Sequence, residues 1–136
     1  MNKTIRQITA AETYELRHQV MWPNKPISFI MLPNDAEGVH FGFFINEVLV
    51  SVVSLFIENS KAQFRKFATL EKEQGKGYGT LLLSHLILFA SQNNLSEIWC
   101  NARTNKQEFY IKFGFSPTNN LFSKAGIDYI VMRKIL

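Results

Sequence analysis

One cysteine, Cys100, excludes both a disulfide framework and a thiolate metal cluster in this chain of 136 residues. It lies in the apolar run IWCNA, where a lone Cys is expected to be a small buried core residue rather than a nucleophile. The histidines His18, His40 and His85 share no ligand spacing, so no metal site is expected. With seven Gly and four Pro there is no low-complexity segment, and neither an internal repeat nor a linker breaks the chain. No apolar run approaches the ~20 residues that a membrane span requires, and the start, MNKTIRQITAAETYELRH, lacks an apolar h-region. A cytoplasmic protein with no membrane partner is the expectation. Concentrated charge is missing as well. The net charge is +4, yet the cations scatter from Lys3 to Lys134 rather than forming a stripe, which argues against nucleic acid as a partner.

What is present is enough apolar material for a core. Hydrophobic residues make up 46% and charged residues 19%, which at this length predicts one globular domain spanning residues 1–136. Ile5 to Ile8 suits a short strand, and Thr9 with Glu12 forms a capping box before the helical AAETYELRHQV, which Pro23 and Pro26 end. Trp22 to Gly38 carries three prolines and reads as a long loop with a helical turn, a type of segment often used for function. HFGFFI, VLVSVVSLFI and AQFRKFATL follow, separated by Asn46–Glu47 and Asn59–Ser60, and predict three strands of an antiparallel meander. YGTLLLSHLILFASQNN is apolar on most sides and suits a helix buried against a sheet. SEIWCNA reads as a strand buried on both faces. Asn105 to Phe113 forms a short helix stopped by Gly114, and extended chain resumes at Phe115, with DYIVMRKIL as a final strand. The expected fold class is α/β (α+β): a three-layer domain with a mixed central sheet flanked by helices.

The stretch from Gln74 to Leu82, QGKGYGTLL, places three glycines between a strand and a helix. A Walker A loop needs Lys-Ser or Lys-Thr at the helix start, and here Lys76 lies between glycines. A dinucleotide fingerprint starting at Gly75 ends on Thr80, and one starting at Gly77 ends on Leu82, so neither has its third glycine. The pattern that remains is Gln74-x-x-Gly77-x-Gly79. Bare N–H groups from Gly75 through Tyr78 to Thr80, at the positive end of a helix dipole, suit a pyrophosphate; an ordinary glycine-rich turn is the alternative from the loop alone.

Q-x-x-G-x-G between strand and helix is the acyl-CoA pyrophosphate motif of the GNAT N-acetyltransferases, and the chain resembles that superfamily over essentially its whole length. FRKFATLEKEQ is similar to the family's fourth strand, WCNAR to its fifth, and FYIKFGF (Phe109 to Phe115) to its frequent F-Y-x-K-x-G-F segment. ETYELRH, PNKPI, ATLE and WCNART further resemble the small-molecule acetyltransferases that include glyphosate N-acetyltransferase. The resemblance implies the GNAT fold, acetyl-CoA as co-substrate and a small amine as acceptor. Either a monomer or a homodimer is compatible with it.

It also implies roles. The backbone of Phe67, Ala68 and Thr69 would hold the pantetheine arm where the fourth strand splays from the fifth, and an amide of Phe67 or Ala68 would face the oxyanion. Lys76 would add charge near the phosphates, or simply be a solvated loop lysine. Tyr110 matches the tyrosine that protonates the departing thiolate, with packing in the core as the alternative. Arg65 and Arg103 match arginines that hold an anionic acceptor; bridging to Glu71 or Glu108 is the alternative. Two departures stand out. Those relatives carry an arginine just before the Pro-Asn of their first loop, where this chain has Trp22, which implies a less charged, aromatic-contacting pocket. Their general-base histidine aligns with Asp128, beside Tyr129, and Asp128 is either the base or an acidic turn residue. Two other readings stay open: a CoA-binding regulatory module without turnover, and an acetyltransferase acting on a protein N-terminus or lysine.

Overall fold

The computed structural model describes residues 1–136. Seven strands form one sheet in the order β1-β2-β3-β4-β5-β7-β6. They are β1 (Lys3–Ile8), β2 (Val39–Ile45), β3 (Val48–Glu58), β4 (Lys61–Thr69), β5 (Glu97–Arg103), β6 (Ser116–Lys124) and β7 (Ile127–Ile135). All neighbours are antiparallel except β4 and β5. The two tight turns fall where the sequence puts them: Asn46 and Glu47, then Asn59, take positive φ, as short hairpin turns require. β1 begins two residues earlier than its apolar pattern suggests, because Lys3 and Thr4 continue the ladder against Ile45 and Phe44.

Helix α1 (Ala10–Met21) starts at the expected capping box, with Thr9 Oγ1 accepting from the Glu12 amide and Glu12 accepting from the Thr9 amide. It covers one face of the sheet, where Leu16 packs on Val52 and Ala68. Helix α2 (Tyr78–Gln92) covers the other face. Its Leu82, Leu83, Leu86 and Ala90 are fully buried against Phe41, Val53, Phe64 and Ile98. Leu81 and Leu88 stay about half exposed, so α2 buries one side rather than most. Helix α3 (Gln107–Ile111) is shorter than expected, because a 3-10 turn takes up Thr104–Lys106; Gly114 stops the segment at φ +91.

β5 also differs from expectation. Ile98, Cys100 and Ala102 are buried on the α2 face, whereas Asn101 and Arg103 are exposed on the α1 face. The reason lies in the sheet: α1 covers β2, β3 and β4 and leaves the far half of that face open. The long loop after α1 holds two 3-10 turns, Ile27–Ile30 and Asp35–Glu37. No helix is long and apolar enough to cross a membrane.

Candidate functional site

The sheet opens at its one parallel pair. β4 and β5 are paired only through Lys61↔Glu97, Ala62↔Ile98 and Gln63↔Trp99, and from Phe64 onward the strands diverge. The divergence coincides with an irregularity on the other side of β4, where the register against β3 shifts between Ser54↔Arg65 and Val52↔Ala68. One extra residue is thereby accommodated at Lys66–Phe67, and Lys66 takes φ +55. Into the gap opens a cleft of about 620 Å³, floored by β4 and β5, closed at one end by the glycine loop and at the other by Trp22 and Tyr129.

The glycine loop is built to present backbone donors. Gly77 is the N-cap of α2 in a left-handed conformation, φ +85, and no side chain caps the helix. None of the amides from Gly75 to Thr80 donates to a protein acceptor; the first that does is Leu81, to the Gly77 carbonyl at 3.1 Å. A Cβ added at Gly75 or Gly77 would meet no protein atom, so the space beside both is open. Gly79 has a different reason: a Cβ there would lie 3.2 Å from the Phe67 ring, so it permits close approach of helix to strand. Tyr78 sends its ring into the core, stacked on Phe43 at 5.0 Å, and offers the cleft its backbone. Gln74 braces the loop, its Nε2 donating to the Thr69 carbonyl at 2.9 Å. This row of free amides at a helix start fits a pyrophosphate.

Period-two alternation sorts the strand residues. Arg65 sits opposite Ser54 on the α1 face, and Arg103 lies opposite Tyr129, so Arg65, Arg103 and Tyr129 line one side of the cleft together with Trp22 from the end of α1. Arg65 and Arg103 make no salt bridge; Glu71 and Glu108 are not their partners. Burial and then the positive charge of Arg17 push the Arg65 guanidinium below its ordinary value, with Asp35 opposing. It remains a cation at any physiological pH.

Tyr110 reaches the cleft from α3, half-buried among Phe64, Phe109 and Phe115 at ring distances of 5.2–6.0 Å. Burial, followed by the neighbouring Cys100, raises its phenol well above the usual tyrosine range, while Arg103 opposes. The phenol is therefore fully protonated at neutral pH and able to donate. Cys100 is 2% exposed and burial pushes its thiol up to about 12, in keeping with a core residue rather than a nucleophile.

Two residues singled out from the sequence sit elsewhere. Asp128 shares the α2 face with Ile130, one residue out of phase with Tyr129; it is exposed at the β6–β7 hairpin, where it accepts from Ser123 Oγ. It does not line the cleft. The resemblance points to Asp128, but the cleft is lined by its neighbour Tyr129, because a strand turns consecutive side chains to opposite sides. Lys76 points out of the loop and pairs with Glu73 at 3.3 Å.

Sequence reasoning overlooked Lys66. It lines the cleft half-buried, with neither hydrogen bond nor salt bridge, between Arg65 and Phe67. Burial first, then the positive charges of Arg65, Arg17 and Lys124, lower its ammonium to about 8, with Asp35 opposing. In the one-dimensional pattern it reads as an ordinary solvated strand lysine, since positive φ at a residue with a side chain leaves no mark such as a glycine. Asn101 was also missed; it faces the cleft two residues before Arg103.

Behind the Trp22 side of the cleft lies a buried polar cluster. Arg17 is completely buried and donates to both Asp35 carboxylate oxygens (2.8 and 2.9 Å), to the Ile30 carbonyl (3.2 Å) and to Ser54 Oγ (2.9 Å); its Nε has no acceptor. His40 bonds Ser54 Oγ through Nδ1 and the Asp35 carbonyl through Nε2. Burial opposes ionisation of Asp35, but its hydrogen bonds to Arg17 and the Leu32 amide outweigh that and hold its carboxyl below the usual range. The cluster ties the loop after α1, and with it the Trp22 side of the cleft, to β3.

Residues 8–136 match the family described as the acetyltransferase (GNAT) domain. The chain is 32% identical to the uncharacterized N-acetyltransferase YitI of Bacillus subtilis over 142 residues, 97% of this chain and 95% of that protein. A putative N-acetyltransferase from Lactobacillus plantarum has the same fold, with a TM-score of 0.89 at 18% identity over 100% of this chain and 99% of that one. A GNAT family acetyltransferase from Elizabethkingia anophelis with acetyl-CoA bound superposes with a TM-score of 0.79 at 21% identity, covering 99% of both chains. With a parallel pair that splays, a row of unpaired amides at the start of α2 and a family match over nearly its full length, the chain belongs to the GNAT N-acetyltransferases.

Proposed function

We propose that the protein transfers the acetyl group of acetyl-CoA to the amine of a small, anionic, amino-acid-like acceptor by direct attack within a ternary complex. The observation that carries this reading is the single cleft that places the free amides of Gly75 to Thr80 at one end and the unpaired Arg65 and Arg103 at the other. The first set fits the pyrophosphate of CoA, and the diverging edge of Phe67, Ala68 and Thr69 fits the pantetheine arm between. The guanidinium pair suits a carboxylate or phosphonate, and the likeness to glyphosate-type acetyltransferases supports the same choice.

In this scheme acetyl-CoA supplies an activated acyl group. The β4 backbone beside Phe67 and Ala68 orients the carbonyl and offers an amide to the developing oxyanion. Tyr110 gives its proton to the departing sulfur. The burial that makes the phenol a weaker acid makes a thiolate in the same site a stronger base, so the two remain matched.

A CoA-binding module without turnover is the second reading, favoured by Asp128 facing away from the cleft. Acceptor-dependent thiol release from acetyl-CoA, measured across amino acids, aminophosphonates and polyamines, separates the two. A rate with anionic amines supports the transferase, and no rate with any amine supports the module. Saturating acetyl-CoA, at about 100-fold over its Kd, should stabilise the fold by about 2.7 kcal/mol. Gly77→Glu, which places a carboxylate in the open space at the helix start, should abolish that thermal shift.

A further inference from the structure

We propose that Lys66 is the general base of the transfer, its side-chain amine taking a proton from the acceptor ammonium beside the β4 edge. The inference rests on the transferase reading above and begins from what the cleft contains. No histidine lines it. Arg65 and Arg103 are permanent cations and accept no proton. Glu73 is engaged with Lys76, and Lys106 is exposed on the turn before α3. Tyr110 and Cys100 hold their protons at neutral pH, and Asp128 lies on the other face.

Tyr129 also lines the cleft but lies on β7, two strands from β4, whereas Lys66 lies on β4 itself, and its setting is specific. It sits at the β4 irregularity, immediately before Phe67, so its backbone is one residue from the edge assigned to the thioester. Its side chain has no partner in the protein. The charged groups acting on it are Arg65 on its own strand, Arg17 on α1, Lys124 on β6 and Asp35 on the second 3-10 turn. Three of the four are cations, and together with burial they leave an appreciable fraction of neutral amine near neutral pH. The left-handed backbone is an unfavourable place for a lysine, and it falls where β4 parts from β5.

The proton count closes. Lys66 Nζ takes one proton from the acceptor ammonium and passes it to solvent. The freed lone pair forms the C–N bond, the C–S bond breaks, and its electron pair leaves on sulfur, which is protonated by Tyr110. Tyr110 recovers the second nitrogen proton through solvent. The ammonium thus loses two protons, one ending in solvent and one on the thiol.

Two variants and two readouts test this. Lys66→Arg keeps the positive charge but cannot act as a base. Lys66→Gly removes the side chain and suits the positive φ, so its melting temperature should equal or exceed that of the parent. Both should lose kcat at pH 7 by roughly 10²-fold, and acceptor KM in Lys66→Arg should change by less than about threefold, the signature of a group that acts only in the transition state. The rise of parental kcat with pH, with a midpoint near 8, should vanish in both. Independently of turnover, NMR of lysine labelled with 13C at Cε should show one signal titrating near 8 that is missing from Lys66→Gly. Retention of kcat and of the pH rise in Lys66→Arg would overturn the proposal and leave only a role as a cation. A Lys66 signal titrating with the ordinary lysines would overturn it as well. Absence of any acceptor-dependent turnover in the parent would instead remove the transferase reading, whatever the NMR midpoint.

Discussion

Replacing Arg17 by Met keeps most of its volume and deletes one half of a completely buried ion pair. The guanidinium is 0% exposed and Asp35 is 4% exposed, so the carboxylate left behind cannot be rescued by water without moving the loop that carries it. Four hydrogen bonds are lost, two of them to Asp35, and Ser54 Oγ and the Ile30 carbonyl lose a donor. Breaking a buried pair from one side costs about 3–5 kcal/mol. At about 3–4 °C per kcal/mol for a chain of this size, the melting temperature should fall by about 10–20 °C. The pH dependence has a definite sign. In the parent the Asp35 pKa is lowered by folding, so its contribution is present above the unfolded carboxyl value and is lost as pH falls through the folded one. In Arg17→Met burial dominates and raises that pKa, so protonation relieves the penalty, and the gap between variant and parent should narrow from pH 7 to pH 4. Arg17→Met/Asp35→Leu should recover most of the loss. Urea denaturation of the three variants and the parent at both pH values gives each quantity. A loss below about 1 kcal/mol in the single variant, or a double variant no better than the single, would refute the assignment of this cluster as the anchor of the loop.

Three further outcomes are expected. Tyr110→Phe, which keeps the ring packing against Phe64 and Phe115, should lower kcat by on the order of 10²-fold with little change in melting temperature, read by steady-state kinetics. Arg65→Met and Arg103→Met should each raise the KM of an anionic acceptor by about 10- to 100-fold, the equivalent of one charged hydrogen bond at about 1.5–3 kcal/mol, and should leave the thermal shift by acetyl-CoA in place. Cys100 should resist alkylation in the folded protein. A thiol raised from 9.0 to about 12 has a thousandfold smaller thiolate fraction at pH 8, and mass spectrometry with and without denaturant measures the difference.

The order of elements was legible because each was marked by its own chemistry. The capping box at Thr9 and Glu12, the asparagine turns at Asn46 and Asn59, and Gly114 after α3 are local devices that act without knowledge of the sheet. The row of free amides at the start of α2 was legible for the same reason, since it is exposed by glycines close together in the chain. The end of the cleft at Arg65 and Arg103 was harder to read. Its walls come from α1, β4, β5 and β7, and membership depends on which face each residue takes. Arg65 and Arg103 line the cleft, whereas Asp128 lies one position away, next to Tyr129, which does reach it. A one-residue offset is invisible to a motif and decisive in a strand.

The irregularity at Lys66 joins these two levels. Without the register shift between Ser54 and Val52, β4 would continue straight, and its alternation would put Lys66 and Ala68 on one face and Arg65 and Phe67 on the other. With it, Arg65 and Ala68 share the α1 face, and Phe67 turns its ring toward Gly79 on the α2 side. The same shift bends β4 away from β5 where their pairing stops, at Gln63↔Trp99. A single inserted residue therefore accompanies the gap, leaves Arg65 and Ala68 on the same face and holds Phe67 as the packing partner that makes Gly79 a glycine. It follows that the glycine loop and the cleft are not independent features. Gly79→Ala, acting through Phe67, should disturb the diverging edge as much as the loop itself.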